Sequence, residues 1–163
     1  MRKVALALGI VLLLAAGQSF AQRNEISGFG TWNSLSGSGG TRDHDWDMSY
    51  LQLSYGYYLN QNLAGTVSYQ KLSKMGDKNY DILDVGVKYY FGTFKQGAFL
   101  PFVEGALGLY DFNGNDPGVR AGIGGSWMIT ESTSVDPTFT YLRTLSGDKL
   151  NGHIFGLRLT VRF

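Results

Sequence analysis

Apolar and polar side chains alternate through the last twelve residues of the chain. Every second position near the end of this stretch is large and apolar: Phe155, Leu157, Leu159, Val161 and Phe163. The positions between them carry Gly, Arg, Thr and Arg. Because successive side chains of an extended backbone point to opposite sides, a period of two predicts a β-strand with one apolar and one polar face. This pattern constrains the fold more than any other feature of the sequence.

The same alternation recurs upstream and predicts about eight strands, each near the ~9–11 residues that a membrane-spanning strand requires. The polar faces carry mostly Gly, Ser, Thr and Gln, which suit the interior of a narrow barrel. The first strand, from about Glu25 to Trp32, has an ambiguous phase, because Phe29 competes with Ile26 and Trp32 for the apolar face. In the seventh strand Pro137 cannot donate a ladder hydrogen bond, so we expect a β-bulge there.

The beginning of the chain has the pattern of a secretory signal peptide. Arg2 and Lys3 form a basic start, an almost unbroken apolar run follows, and small residues precede an expected cleavage after Ala21. The apolar run is shorter than the ~20 residues of a spanning helix, which disfavours the alternative of a helical anchor. We therefore predict a signal peptide over residues 1–21 and a single β-barrel domain over residues 22–163.

Composition supports a membrane barrel and excludes several functions. Removing the two basic residues of the signal peptide from a total of 14 leaves 12 against 13 acidic residues, a net charge of −1. This balance gives no electrostatic basis for binding nucleic acid. Cys is absent, which excludes disulfides and thiolate chemistry. Charged residues are 17% of the chain, against roughly 25% in soluble domains, and without a further spanning apolar run a membrane-crossing chain has to be a closed barrel.

Two short motifs, together with the signal peptide and the alternation, carry a family resemblance. They are residues 100–108, which read LPFVEGALG, and the terminal aromatic Phe163. Over nearly its whole mature length the chain resembles the small bacterial outer-membrane barrels of the OmpA/OmpX-like type, including the opacity-like "porin family" proteins. The resemblance implies an all-β, eight-stranded antiparallel transmembrane up-and-down β-barrel in the cell outer membrane of a Gram-negative envelope. It also implies a signal for the barrel-assembly machinery on the closing strand, formed by Leu157, Leu159, Val161 and Phe163.

Loops and aromatic residues fit this resemblance. The predicted connections alternate between long and short, as extracellular loops and periplasmic turns do, which predicts that both termini are periplasmic. Aromatic side chains concentrate near the strand ends, as expected of membrane-interface belts. The predicted interface aromatics are Trp32, Tyr57, Tyr89, Phe91, Trp127 and Tyr141, with Tyr58, Tyr90 and Tyr110 counted in the same belts. The alternative is that aromatic residues are scattered through the strands by β-propensity alone.

Seven charged residues lie on the predicted polar faces and would meet in the lumen: Asp84, Lys88, Glu104, Arg120, Asp136, Arg158 and Arg162. An unpaired buried charge is costly, so these groups have to pair with one another. Glu104 and Arg120 lie on neighbouring strands, and we predict that they belong to one ion-pair network. Because side chains fill the interior of an eight-stranded barrel, a structural plug is favoured over a gated ion path.

Two other features could carry chemistry. The segment Asp43-His44-Asp45-Trp46-Asp47 could bind a divalent cation, although an acidic solvated loop is the favoured interpretation. His153 is predicted to face outward, but Phe155 stands two residues on, so the His-x-Ser arrangement of the lipid A deacylase family is missing. A nucleophile needs a base within hydrogen-bond reach. We therefore predict no enzyme activity, no catalytic or metal site and no cofactor.

The predicted function is that of an integral outer-membrane protein with a structural or surface-interaction role through its extracellular loops. The alternatives are a small pore for ions or small solutes, a lipid A-modifying enzyme, and a soluble periplasmic barrel with the two faces reversed. The predicted partners are outer-membrane lipids and, during biogenesis, the barrel-assembly machinery. We expect a monomer that binds no nucleic acid.

Overall fold

Eight antiparallel strands close into a barrel in the computed structural model, which describes residues 23–36, 45–74, 79–110, 116–146 and 151–163. Each strand pairs with the next, and the last pairs with the first, which confirms the predicted all-β, eight-stranded fold. The predicted signal peptide lies outside the described residues. The strands are β1 (Asn24–Ser36), β2 (Asp45–Tyr58), β3 (Leu63–Lys74), β4 (Asn79–Tyr90), β5 (Phe99–Tyr110), β6 (Asp116–Met128), β7 (Thr133–Thr144) and β8 (Asn151–Arg162).

Connections of four, eight and four residues join β2 to β3, β4 to β5 and β6 to β7 at one end of the barrel, which we call the turn end; the opposite end is the loop end. The predicted alternation of long and short connections is therefore wrong at β4–β5, which is as long as the connection between β1 and β2. In the β2–β3 turn, Asn60 Oδ1 accepts hydrogen bonds of 2.9 Å from the backbone N–H groups of Asn62 and Leu63. In the β6–β7 turn, Thr130 Oγ1 accepts a bond of 2.9 Å from the Thr133 N–H. Side chains thus satisfy backbone donors where the ladder ends.

The first strand closes the barrel and its phase is now defined. Asn24 and Phe163 exchange two backbone hydrogen bonds of 2.9 Å each. Glu25, Ser27 and Phe29 are buried and point into the lumen. The aromatic ring at position 29 therefore belongs to the interior, although its size suggested an outward position.

The closing strand keeps the predicted alternation, with one difference. Leu157 and Leu159 face outward and are 61% and 39% exposed. Val161 has the same phase but is only 3% exposed, so it is not part of an open apolar face. It lies between two β-branched cross-strand neighbours, Ile26 on β1 and Thr133 on β7, whose side chains stand beside it.

The expected β-bulge at Pro137 is not found. The β6–β7 register is the same on both sides of this residue, since Gly124 pairs with Thr138 and Trp127 with Val135. The β6–β7 ladder is instead interrupted, since neither Gly125 nor Ser126 has a paired residue on β7. Proline lacks the N–H that the ladder needs, and here the strand tolerates the missing bond without inserting a residue.

Apolar side chains fill both ends of the lumen. The loop-end cluster comprises Phe29, Tyr50, Leu72, Ile82, Tyr110, Leu142 and Ile154. The turn-end cluster comprises Tyr58, Ala64, Tyr90, Leu100, Phe102 and Met128. No helix in the described part of the chain is long and apolar enough to cross a membrane.

The outer wall is a band of exposed apolar side chains. Of the predicted interface aromatics, Tyr57, Tyr89, Phe91 and Trp127 are outward and 41–64% exposed, and Tyr141 is outward and half-buried. The side chain of Trp32 lies outside the described part of the structure. The assignment of Tyr58, Tyr90 and Tyr110 to the belts was wrong, because these rings are buried in the lumen.

Candidate functional site: the charged layer of the lumen

Among the residues that the structure describes, eight charged side chains are buried between the two apolar clusters. The acidic ones are Glu25, Asp84, Glu104 and Asp136, and the basic ones are Lys88, Arg120, Arg158 and Arg162. Each is 8% exposed or less. Four negative and four positive groups make this layer neutral, as a low-dielectric interior requires.

One half of the layer, the central network, consists of Asp84, Glu104, Arg120 and Arg158. Arg120 donates to Asp84 from Nε and Nη2, at 2.9 and 3.2 Å, and to Glu104 Oε1 from Nη1 at 2.6 Å. Arg158 donates from both Nη atoms to the two oxygens of Glu104, at 2.9 Å each. Glu104 therefore holds two guanidinium groups, one of them in the bidentate geometry that makes such pairs strong.

Neutral polar side chains extend the central network toward the loop end. Gln70 donates to Asp84, and Tyr50 donates to Gln70 Oε1 at 2.6 Å. Gln52 donates to Ser54 at 2.8 Å, and Ser54 to Ser68 at 2.9 Å. The chain of bonds occupies the inner faces of β2 and β3, so that buried polar atoms there have partners.

The other half, the turn-end network, consists of Glu25, Lys88, Asp136 and Arg162. Lys88 Nζ lies 3.5 Å from Glu25 Oε1 and 3.7 Å from Asp136 Oδ2. Arg162 Nε lies 3.8 Å from Glu25 Oε2. These separations exceed direct hydrogen-bond length, and no described residue accepts a hydrogen bond from Lys88 Nζ.

Tyrosine hydroxyls and aromatic faces complete the turn-end network. Tyr58 and Tyr90 donate to Glu25 Oε2 at 2.6 and 2.8 Å, and both hydroxyls accept from Arg162, at 3.0 and 3.2 Å. The ammonium of Lys88 lies 4.5 Å from the ring centre of Tyr90 and 4.3 Å from that of Phe102. Such faces stabilise a cation that has lost its water.

The β4–β5 turn covers this end of the lumen. The guanidinium of Arg162 lies 4.5 Å from the ring centre of Phe94. Phe94 also packs edge-on against Tyr58 and Tyr90, with ring centres 5.7 and 5.0 Å apart. A side chain from the turn thereby seals the mouth below the turn-end network.

Glycines opposite the largest lumen side chains make room for them. Gly56 lies across from Glu25, Gly122 from Glu104 and Gly124 from Phe102. A Cβ atom at Gly122 would stand 2.9 Å from Glu104 Cγ, closer than carbon atoms pack. The arrangement of glycines therefore fixes where carboxylates and rings can cross the lumen.

All seven charged residues that the sequence singled out lie in the layer, and Glu25 is an eighth that it missed. The ambiguous phase of β1 hid this residue. A signal was nevertheless available, since the seven predicted charges sum to +1. A buried set with a net positive charge needs one more carboxylate to become neutral. Glu25 is the carboxylate at the start of the predicted first strand.

The other candidate sites are placed differently. His153 faces outward, with its ring centre 5.3 Å from Phe139 and 5.0 Å from Tyr141. The positions of the Asp43–Asp47 side chains lie outside the described structure. Within the described ranges, no group of three or more His, Cys, Asp or Glu side chains could hold a metal ion.

The sequence of the chain matches the model of a known family, described as the outer membrane protein beta-barrel domain, over residues 4–163. The chain belongs to this family. As a member it is a barrel of the bacterial outer membrane, and its exposed apolar band faces lipid. A search of curated proteins found no match.

Solved structures of small outer-membrane barrels resemble this family member in fold. The N-terminal β-barrel domain of Pseudomonas aeruginosa OprF is 18% identical, with a TM-score of 0.65 over 87% of this chain and 98% of that one. Neisserial surface protein A is 16% identical, with a TM-score of 0.67 over 86% and 97%. Ail, the attachment invasion locus protein of Yersinia pestis, is 13% identical, with a TM-score of 0.56 over 87% and 99%. At these identities the likeness concerns the fold alone.

Proposed function

We propose that this protein is a monomeric outer-membrane barrel with a closed lumen, and that its role is structural or surface-interaction, exerted by its loops. The observation that carries the proposal is the filled lumen. Two apolar clusters and a neutral layer of eight charges occupy the interior, and the largest side chains there, such as Arg162, Tyr90 and Lys88, are at most 1% exposed. A barrel packed in this way is a rigid scaffold whose variable parts are its connections.

We also propose that both termini and the turn end lie in the periplasm. The support is that two of the three turn-end connections, β2–β3 and β6–β7, have four residues each, although β4–β5 has eight, as many as separate β1 from β2 at the loop end. Short periplasmic turns and longer extracellular loops are the rule in this class. The closing strand with its terminal Phe163 would be recognised by the barrel-assembly machinery before insertion.

Single cysteines test this orientation, because the chain contains no Cys of its own. Ser38→Cys and Gly40→Cys place a thiol between β1 and β2, and Gln61→Cys and Glu131→Cys place one in short turns. On intact cells a membrane-impermeant maleimide should label the first pair only, and after lysis it should label all four. Labelling of Gln61→Cys or Glu131→Cys on intact cells would reverse the orientation.

A small pore is the second candidate, and the observation that favours it is Lys88. This ammonium is held by two carboxylates at 3.5 and 3.7 Å without a hydrogen bond among described residues, so it is less firmly fixed than either arginine of the central network. Planar-bilayer recording separates the candidates. The wild type should pass no current, and a steady wild-type current would overturn the closed-lumen proposal.

Substitutions in the central network sharpen this measurement. If the wild type is closed by its ion pairs, Glu104→Ala or Arg120→Ala opens a current, whereas Glu131→Ala in an exposed turn does not. If none of the three variants passes a current, the charged layer is a structural plug and not a gated ion path.

We propose no enzymatic activity. The support is that His153 packs between two aromatic rings on the lipid-facing wall, with Phe155 at the position where the deacylase arrangement needs a serine. His153→Ala should leave the lipid A of a membrane carrying the protein unchanged, as judged by mass spectrometry. A changed lipid A profile would make the protein a lipid-modifying enzyme.

A further inference from the structure

The lipid-facing wall contains an apolar groove of about 470 Å³ near the turn end. This volume lies within the ~300–1,000 Å³ typical of ligand-binding clefts. The groove crosses β5, β6 and β7 and extends to Phe91 beyond β4 and to Phe155 on β8.

The groove exists because a row of small residues lies beside a row of large ones. In cross-strand register, Pro101, Gly125 and Pro137 form one outward row, although the last two are not hydrogen-bonded as a pair. The neighbouring row toward the loop end is formed by Val103, Ile123, Phe139 and Phe155. The two compact rings of Pro101 and Pro137, with Gly124 and Thr138 beside them, thus form the base of a depression along the wall.

Aromatic residues border the other side of this row. Phe99 pairs with Trp127 one step nearer the turn end, and they are 60% and 64% exposed. A Cβ atom at Gly125 would overlap the ring of Phe99, so that this ring lies against the bare backbone. Phe99 therefore covers Gly125, and the open part of the groove lies over the two prolines.

The base of the groove is thin. Gly124, whose neighbour Phe102 points into the lumen, lines it together with Thr138, another lumen-facing residue. The prolines also remove backbone donors there: Phe91 N–H donates to Pro101 O at 2.8 Å, and proline cannot return that bond. The groove reaches the inner layer of the barrel where the β6–β7 ladder lacks the pairs of Gly125 and Ser126.

We propose that this groove binds one acyl chain of a phospholipid. Lipid tails are as apolar as the wall, so the hydrophobic effect gives no preference for this place, and packing has to supply it. Along a smooth wall a chain touches protein on one side, whereas in the groove it touches the large row, the base and Phe91 together, and the sum of these dispersion contacts is substantial. The groove is continuous with the lipid-facing band, so a lipid chain reaches it without crossing water.

The position of the groove along the barrel axis indicates which leaflet of the membrane supplies the lipid. Phe91 of the 91–98 connection and Pro101 near the start of β5 line the groove, which places this part of it toward the end that the orientation proposed above puts in the periplasm. A chain bound there belongs to the leaflet on that side, which is why a phospholipid is the occupant we choose over lipid A. Cysteine labelling tests the orientation separately, so a failure of one proposal is distinguishable from a failure of the other.

Native mass spectrometry of the detergent-solubilised protein tests the proposal with phosphatidylethanolamine as the probe. We expect one lipid to bind at least tenfold more tightly than any further one. Val103→Trp fills the groove and should weaken that first binding tenfold or more. The matched control Leu107→Trp enlarges another outward residue of the same strand, outside the groove, and should bind as the wild type does.

A second measurement locates the chain by fluorescence quenching and uses a smaller filling residue than tryptophan. In a Trp32→Phe/Trp46→Phe background, Trp127 is the remaining tryptophan of the three, and phospholipid brominated on its tails should quench its fluorescence. Val103→Phe should reduce that quenching, with folding checked by a boiled and an unboiled gel lane. Equal binding by both Trp variants, equal loss in both, or displacement of phospholipid by an equimolar amount of lipid A would overturn the proposal.

Discussion

At the turn end of the lumen, the carboxylate of Glu25 joins two cations and two phenols. It accepts hydrogen bonds from Tyr58 and Tyr90 and faces Lys88 and Arg162. Removing a buried charge from such a set leaves its partners uncompensated, whereas removing both members of a pair restores neutrality. The effect of a substitution at Glu25 therefore depends on what is done at Lys88.

Glu25→Gln should lower the free energy of unfolding by about 3 kcal/mol, near the lower limit for a broken buried pair. Combining it with Lys88→Met should recover more than half of that loss, because the layer becomes neutral again. Urea titration in lipid vesicles, followed by tryptophan fluorescence, measures both. Glu131→Gln in an exposed turn is the control, with an expected change within about 0.5 kcal/mol; simple additivity of the two lumen substitutions would contradict the network.

Alanine substitutions at two glycines, one crowded and one with open space beside it, give a second comparison. A Cβ at Gly122 would stand 2.9 Å from both Cγ and Oε1 of Glu104, whereas a Cβ at Gly65 would meet no atom within 4 Å. Gly122→Ala should therefore destabilise the barrel by about 1–3 kcal/mol, as overpacking does. Gly65→Ala should be neutral or stabilising, by up to about 1 kcal/mol. Equal urea midpoints for the two variants would show that Glu104 has room to move.

The sequence predicted a strand well where all of its large residues lie on one face. Alternation defined β2 and β8 because large residues occupy one face without interruption, Leu and Tyr on β2 and Phe, Leu and Val on β8. β1 could not be assigned, since small Gly28 and Gly30 share the outward face with Ile26 while bulky Phe29 points inward. The contact of Arg158 with Glu104 joins β8 to β5 across the lumen, and strand pattern carries no information on pairs that are not sheet neighbours.

On the closing strand, recognition by the assembly machinery and stability of the folded barrel depend on different residues. Phe163 keeps its two backbone bonds to Asn24 whatever its side chain, whereas the side chain of Val161 is buried. Phe163→Ala should reduce the amount of folded protein in cells while leaving urea-driven refolding in vesicles unchanged. Val161→Ala should lower stability in vesicles by about 1 kcal/mol or more, in line with loss of buried methyl groups. A refolding defect in Phe163→Ala would assign the terminal ring a structural role instead.

For the molecule as a whole, closure of the sheet removes every edge. Such a barrel has no weak strand from which detergent can start unfolding, so we expect it to keep its fold in SDS until boiled. Unboiled and boiled samples of the outer-membrane fraction should run at different positions on a gel. Identical mobility of the two, with the protein in the soluble periplasmic fraction, would mean that the apolar and polar faces are reversed.

The neutral charged layer also bears on how assembly ends. Its eight members come from six strands, β1, β4, β5, β6, β7 and β8, and the ion pairs made by Arg158 and Arg162 form only when the last strand is in place. An intermediate that lacks β8 has Glu104 and Glu25 each short of an arginine. Entry of such an intermediate into hydrocarbon would carry unmatched charge. Insertion into the membrane therefore has its lowest free-energy cost for a finished barrel, because only then is the charged layer neutral.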